Sequence, residues 1–163
     1  MDDIDLRILT ILQQDCAIPV SEIAARVGLS GSPCWKRIQK LKEDGVNTAE
    51  VALCDPAKLD LNTTVFVKIS TNQHNEAWLE AFAAAVQAIP EIVEVWRMSG
   101  DMDYLLRVVV RDIQGYDQVY KRLIRSCELF DVSSSFAMER IKYSTSLPLP
   151  VDFPGEAGGD KTT

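Results

Sequence analysis

Residues Ser21–Val46 read SEIAARVGLSGSPCWKRIQKLKEDGV. Ile23, Ala24 and Val27 share one helical face, Gly28 interrupts them, and Trp35, Ile38 and Leu41 begin a second apolar stripe with Cys34 near its edge. Ser21 is the expected N-cap of the first helix. Gly28 offers the left-handed backbone that stops a helix and turns the chain. Pro33 suits a first turn, so the second helix is expected to begin near Ser32–Pro33, and Gly45 to end it. Two short helices joined by a glycine turn, the second of them basic, are the minimum for laying one helix in the major groove of DNA.

The 163-residue chain has a formal net charge of −7, so the distribution of charge matters more than its total. From Ser21 to Lys42 the bases are Arg26, Lys36, Arg37, Lys40 and Lys42, and the acid is Glu22. Ser30, Ser32 and the amides at the helix start around Pro33 suit phosphate contacts. Arg37, Gln39 and Lys36 are candidates for base edges, with Lys40 beside them. The plainer reading is that these cations only solvate a surface helix. Trp35 is assigned to the core in preference to a ligand contact.

Working outward, Ile4, Ile8, Leu9 and Leu12, with Ile11 at the stripe's edge, predict a helix over Asp3–Gln14 capped by Asp2 or Asp3. Val46–Leu53 suggests a small ribbon or wing, Asp55–Pro56 a turn, and Ala57–Leu61 a hinge. Beyond it, TTVFVKIS (Thr63–Ser70) predicts a strand, Ala77–Ala88 a helix, Ile92–Met98 and Tyr104–Val110 two strands, a helix capped by Asp112, and Val132–Ile141 a last strand. The order β-α-β-β-α-β is a ferredoxin-like split βαβ sandwich with both helices on one sheet face. Its other face, carrying Val65 and Val67 or their alternates with Val93, Val95 and Val109, is expected to bury against a second copy. A homodimer would pair two reading helices and match a palindromic operator. The class is α+β: a winged helix-turn-helix core at 1–46, wing and linker at 47–62, the ferredoxin-like domain at 63–150, and a flexible Gly/Pro-rich tail at 151–163.

No apolar run approaches the roughly 18–20 residues needed to span a bilayer, and MDDIDLRIL lacks a signal peptide's basic start, so a cytoplasmic protein is expected. Cys16, Cys34, Cys54 and Cys127 contain no C-x-x-C pair and are read as buried or half-buried free thiols. His74 is the chain's one histidine, which leaves zinc poorly supported. Asp101, Asp103, Glu139 and Cys127 would have to serve an enzyme, yet no histidine–acid pattern activates the thiol. No catalytic residues, metal or cofactor are therefore assigned.

DDIDLRILTILQQD, VSEIAARVGLSGSPCWKRIQKLKEDGV, LCDPAKLDL, GDMDYLLRVVV and the SLPLP segment together resemble the Lrp/AsnC family, the feast/famine transcription regulators, over Asp2–Pro150. The resemblance implies sheet-mediated dimers that assemble into tetramers or octamers and an amino-acid or related effector held between dimers. The corresponding turn is Ser99, Gly100, Asp101, Met102, Asp103 and Tyr104, with Ser133 and Ser135 supplying hydroxyls from the last strand. Exposed amides there suit a ligand carboxylate, and Asp101 or Asp103 its ammonium; alternatively both acids only shape the turn. Gly31, Ala17 and the VNTAEVAL segment depart from the family pattern. The last departure and the acidic total charge motivate an alternative, a ligand-binding assembly protein with a weakened DNA-binding module.

Overall fold

The structure, a computed structural model, describes residues 1–73 and 75–151; His74 and residues 152–163 of the expected tail lie outside the described residues. Its described residues divide into two compact units, Met1–Ala52 together with residues 142–151, and Leu53–Ile141.

The first unit holds three helices, α1 (Asp3–Gln14), α2 (Val20–Val27) and α3 (Gly31–Glu43). Asp2 caps α1 and exchanges side-chain bonds with Asp5 in a reciprocal capping box. The start of α2 corrects the sequence reading. Pro19, not Ser21, is its N-cap, and the Pro19 carbonyl accepts the Ile23 amide at 3.1 Å. Proline is preset near helical φ and has no N–H to lose. At Gly28, φ is 74°, and Leu29 N–H reaches back to the Ala24 carbonyl at 2.8 Å. Gly45, φ 69°, repeats the arrangement after α3, with Val46 N–H donating to Leu41 at 3.0 Å. Both are Schellman ends, which need a left-handed residue. Helix α3 begins at Gly31 with Ser30 as its cap, slightly earlier than expected, and Pro33 sits in its first turn.

Ile8, Leu9, Ile11, Ile23, Ala24, Val27, Cys34, Ile38 and Leu41 form the core of this unit, so Ile11 lies in the core and not at the stripe's edge. A second correction concerns α3. Cys34 is fully buried and Trp35 is 52% exposed. Residues 35, 38 and 41 drift backward around a helix of 3.6 residues per turn, whereas 34, 38 and 41 stay on one line. Arg37 crosses to the start of α1, where its Nη1 donates to Asp2 at 2.8 Å and to Asp5 at 2.7 Å.

No ribbon or wing forms after α3: Val46–Leu53 has no strand, and Pro56–Leu59 is a short 3-10 helix. Glu50 folds back onto Lys42 at 2.8 Å and is approached by the Asn47 amide, which closes this stretch as a loop. Residues 142–150, expected with the ferredoxin-like domain, pack instead with the helices. The Gln13 side chain accepts Leu147 N–H at 2.7 Å, imitating a strand partner, and Leu149 packs against the helical core.

The second unit is the expected sandwich: β1 (Thr63–Ser70), α4 (Glu76–Gln87), β2 (Ile92–Arg97), β3 (Tyr104–Val110), α5 (Ile113–Ser126) and β4 (Asp131–Phe136). The sheet order is β2-β3-β1-β4, antiparallel throughout. Asn75 and Asp112 cap the helices through their side chains. Strand β4 stops short of the expected Ile141. Ala137 still bonds to Thr64, but β1 begins at Thr63 and offers no further partner. Val65, Val67 and Ile69 of β1 alternate inward with Tyr104, Leu106, Val108 and Val110 of β3, against Trp78, Phe82, Tyr116, Val119 and Leu123 of the helices. Val65 and Val67 therefore lie under the helices, and Val95, paired with Leu106, joins that side at the sheet edge. The uncovered face carries the alternates Phe66 and Lys68 with Leu105, Arg107 and Val109.

Two outcomes test this packing. An added Cβ at Gly28 meets nothing within 4 Å, so Gly28→Ala isolates backbone strain; about 1–2 kcal/mol of stability is expected to be lost, read as a lower urea midpoint. The Asp5 amide, and next the Arg37 guanidinium, hold the Asp2 carboxyl below its ordinary value of 3.8. The unfolded chain thus binds more protons in that window, so the contribution is complete above the unfolded value and disappears as pH falls through the folded one. Asp2→Asn keeps a capping residue and is expected to make the acid-unfolding limb below about pH 4 shallower by circular dichroism.

Candidate functional site

Helix α3 presents the candidate nucleic-acid surface. Its buried line of Cys34, Ile38 and Leu41 fixes which residues face outward. Ser32, Trp35, Lys36 and Gln39 follow at i, i+3, i+4 and i+7, a single stripe on the far side. Ser30 caps the helix by backbone position only, and its hydroxyl makes no cap bond. The first-turn N–H groups of Gly31 and Ser32 have no helical acceptor, as at any helix start, and Pro33 has none to leave unmet.

Ion pairing redistributes the charge read from the sequence. Glu22 takes Arg26, Asp2 and Asp5 take Arg37, and Glu50 takes Lys42. Among the described residues Lys36 and Lys40 carry no ion pair, and both are exposed. Arg37 is therefore held away from the stripe, while Gln39 is half-buried along it. Trp35 was missed by sequence reasoning. The available signal was the four-then-three spacing that puts Cys34, not Trp35, in line with Ile38 and Leu41.

The second candidate region is the turn between β2 and β3. Gly100 has φ 114°, a conformation that favours glycine. Asp103 is built into the turn: its carboxylate accepts Thr71 N–H at 2.8 Å and its carbonyl accepts Met98 N–H at 2.8 Å. Asp101 is exposed. The structure separates the remaining members of the expected effector set. Tyr104 is 8% exposed in the core, 4.6 Å from the Phe82 ring. Ser133 and Ser135 lie on the uncovered face opposite Lys68 and Phe66, two strands from the turn. The intervening Ser134 points under the helices and bonds the Tyr116 hydroxyl. Strand alternation explains both separations. A cavity of about 180 Å³ beside the turn is lined by Gln73, Glu76, Leu79 and Arg97 over Trp78 and Tyr104. Arg97 and Glu76, both exposed, were not singled out in the sequence.

The thiols divide evenly: Cys34 and Cys127 are buried, and Cys16 and Cys54 are exposed, against the expectation of general burial. Burial pushes the Cys34 and Cys127 thiols up, away from the reactive thiolate. Among the described residues no three His, Cys, Asp or Glu side chains gather as a metal site, and no helix is long and apolar enough to cross a membrane.

The two regions coincide with two family matches. Residues 1–42 match the AsnC-type helix-turn-helix domain, and residues 64–147 match the Lrp/AsnC ligand binding domain. The chain is 48% identical over 150 residues to the DNA-binding transcriptional activator DecR of Escherichia coli, covering 91% of this chain and 99% of that protein. It is 45% identical over 150 residues to a glutamate uptake regulatory protein of Zymomonas mobilis, covering 92% of each. Among solved structures, an AsnC family regulator from Agrobacterium tumefaciens superposes with a TM-score of 0.88 at 56% identity, covering 91% of this chain and 97% of that one. A Neisseria meningitidis regulator in complex with L-Met gives 0.87 at 32% identity, with 92% and 97% covered. A helix-turn-helix with an outward basic helix, joined in one chain to a ferredoxin-like sandwich, thus belongs to the Lrp/AsnC family of DNA-binding transcription regulators.

Proposed function

We propose that the chain binds double-stranded DNA through α3 as a homodimer, and that an amino acid or related small metabolite sets its DNA affinity or assembly. The α3 surface carries the reading. Lys36 and Lys40 stand outside, opposite a fully packed face, next to Ser30, Ser32 and the Pro33 turn at the helix start. Phosphate at a helix start and lysine charge along the groove give affinity, and Gln39 is placed for base edges. Arg37 acts by holding α3 against α1.

The uncovered sheet face supports self-association. Phe66, Leu105, Val109 and Trp96 surround the Glu94–Arg107 pair, whose N···O distance is 2.6 Å. A second copy turned by a two-fold axis would cover this face, present two α3 helices to a palindromic operator, and allow further assembly to a tetramer or octamer. In the effector region, the Ser99–Met102 backbone and Arg97 suit a carboxylate, and Asp101 or Glu76 an ammonium. The relatives named for glutamate uptake and leucine response, and the L-Met complex, support an amino acid as the ligand class. Solubility and action in the cytoplasm follow from this role. The missing ribbon after α3 favours the second reading, a ligand-binding assembly protein with a weakened DNA module.

Selection of duplexes from a random pool, repeated with each of the twenty amino acids, decides between them. Saturable binding that one amino acid alters supports a regulator, and no selected sequence at low salt supports the second reading. Lys36→Ala and Lys40→Ala are each expected to weaken binding to all sequences and to lower the slope of log K against log salt by about 1. Phe66→Asp is expected to shift the protein toward monomer in analytical ultracentrifugation, with the helical signal unchanged.

A further inference from the structure

Three tryptophans occur in the sequence, and their indole groups are treated differently. Trp78 is buried, stacks on Phe82 at 5.1 Å and donates to the Glu128 carbonyl at 2.7 Å. Trp96 donates to Glu94 at 3.4 Å. Trp35 is 52% exposed, and among the described residues its ring meets no aromatic neighbour and its N–H no acceptor. The core does not require it, because Cys34 fills the adjoining inward position completely. Its place is the second turn of α3, in the stripe with Ser32, Lys36 and Gln39.

We infer that Trp35 is a specificity-determining residue that reads thymine by packing its indole face on the C5-methyl group in the major groove. The assignment rests on the DNA-binding reading above and deepens it. Lys36 beside it brings the helix to the phosphates, contacts that carry no sequence information, and where it meets a guanine edge its compact ammonium lacks the planar fork of arginine. With Arg37 tied to Asp2 and Asp5, the usual arginine contact to guanine is absent from the stripe. Beside Lys36, what remains to discriminate bases is the Gln39 amide and a large apolar surface. In the major groove the apolar feature that differs between base pairs is the thymine methyl. An exposed indole offers far more area than that contact needs, and little side-chain entropy is lost in fixing it because tryptophan has two rotatable side-chain bonds.

The test uses the full-length protein and a duplex selected by it from a random pool, with each thymine replaced in turn by deoxyuridine, which removes only the methyl. Wild type is expected to bind about fourfold more weakly at one or two positions per half-site, the size expected for one methyl group moved out of an apolar contact. Trp35→Ala is expected to lose that discrimination at the same positions, keep its salt slope and keep its helical circular dichroism. Trp35→Phe is expected to keep part of it. An unchanged thymine-to-uracil profile in Trp35→Ala, or a wild-type site with no sensitive thymine, overturns the assignment while leaving DNA binding intact. Loss of self-association in Trp35→Ala with the thymine profile unchanged also overturns it and makes Trp35 a contact between copies. If wild type selects no duplex at all, the DNA-binding reading fails and this assignment fails with it.

Discussion

One guanidinium shared by two carboxylates sets how α3 lies on α1. Arg37 reaches from the middle of α3 to the first turn of α1, where Asp2 and Asp5 already bond to each other's backbone. The three-residue cluster sits at the edge of the apolar core, so it adds direction to a contact that hydrophobic packing alone would leave free to roll. Exposure limits what such pairs contribute to stability; their effect is on geometry. The stripe of Ser32, Trp35, Lys36 and Gln39 faces outward because Cys34, Ile38 and Leu41 face inward and Arg37 prevents the helix from turning between these alternatives.

Ion pairs elsewhere in the helical unit explain how an acidic protein can present a usable basic surface. Acids neutralise the bases at the margins of the helical unit, Glu22 with Arg26 and Glu50 with Lys42, and spare those at its outward centre. The surrounding negative charge disfavours phosphate in other orientations and so works for registration even as it lowers affinity. A surface with few phosphate contacts releases few counterions, so its DNA binding depends only shallowly on salt, which leaves a larger share of affinity and discrimination to direct contacts with bases.

The strand and helix spans of the sandwich were legible because alternation and cap residues act locally: Thr63–Ser70 and Tyr104–Val110 were read with their observed bounds, and the helix read over Ala77–Ala88 lies one residue earlier, at Glu76–Gln87 behind the Asn75 cap. Three features were misread, and the last two depend on contacts distant in sequence. Trp35 was placed in the core by hydrophobicity, a property that does not say which of two adjacent residues the third helix needs. The end of β4 is set by where β1 begins, some seventy residues earlier. Residues 142–151 look like a continuation of the sandwich until Gln13 and Leu149 are seen together. In the candidate site, the groups on α3 were found by composition. The loss of Arg37 to α1 and of Tyr104 to the core required knowing the faces on which they lie.

The strap formed by residues 142–151 has a consequence for the order of synthesis. The helical unit is discontinuous: α1 to α3 are made first, yet Gln13 and the groove that receives Leu149 wait for a segment translated after the whole sandwich. During growth of the chain the three helices therefore stand with an open apolar seam, and the sandwich, whose strands lie within one continuous stretch, can close before they are sealed. The helix-turn-helix unit is completed last, so a nascent chain can acquire its sandwich before its helical half is finished.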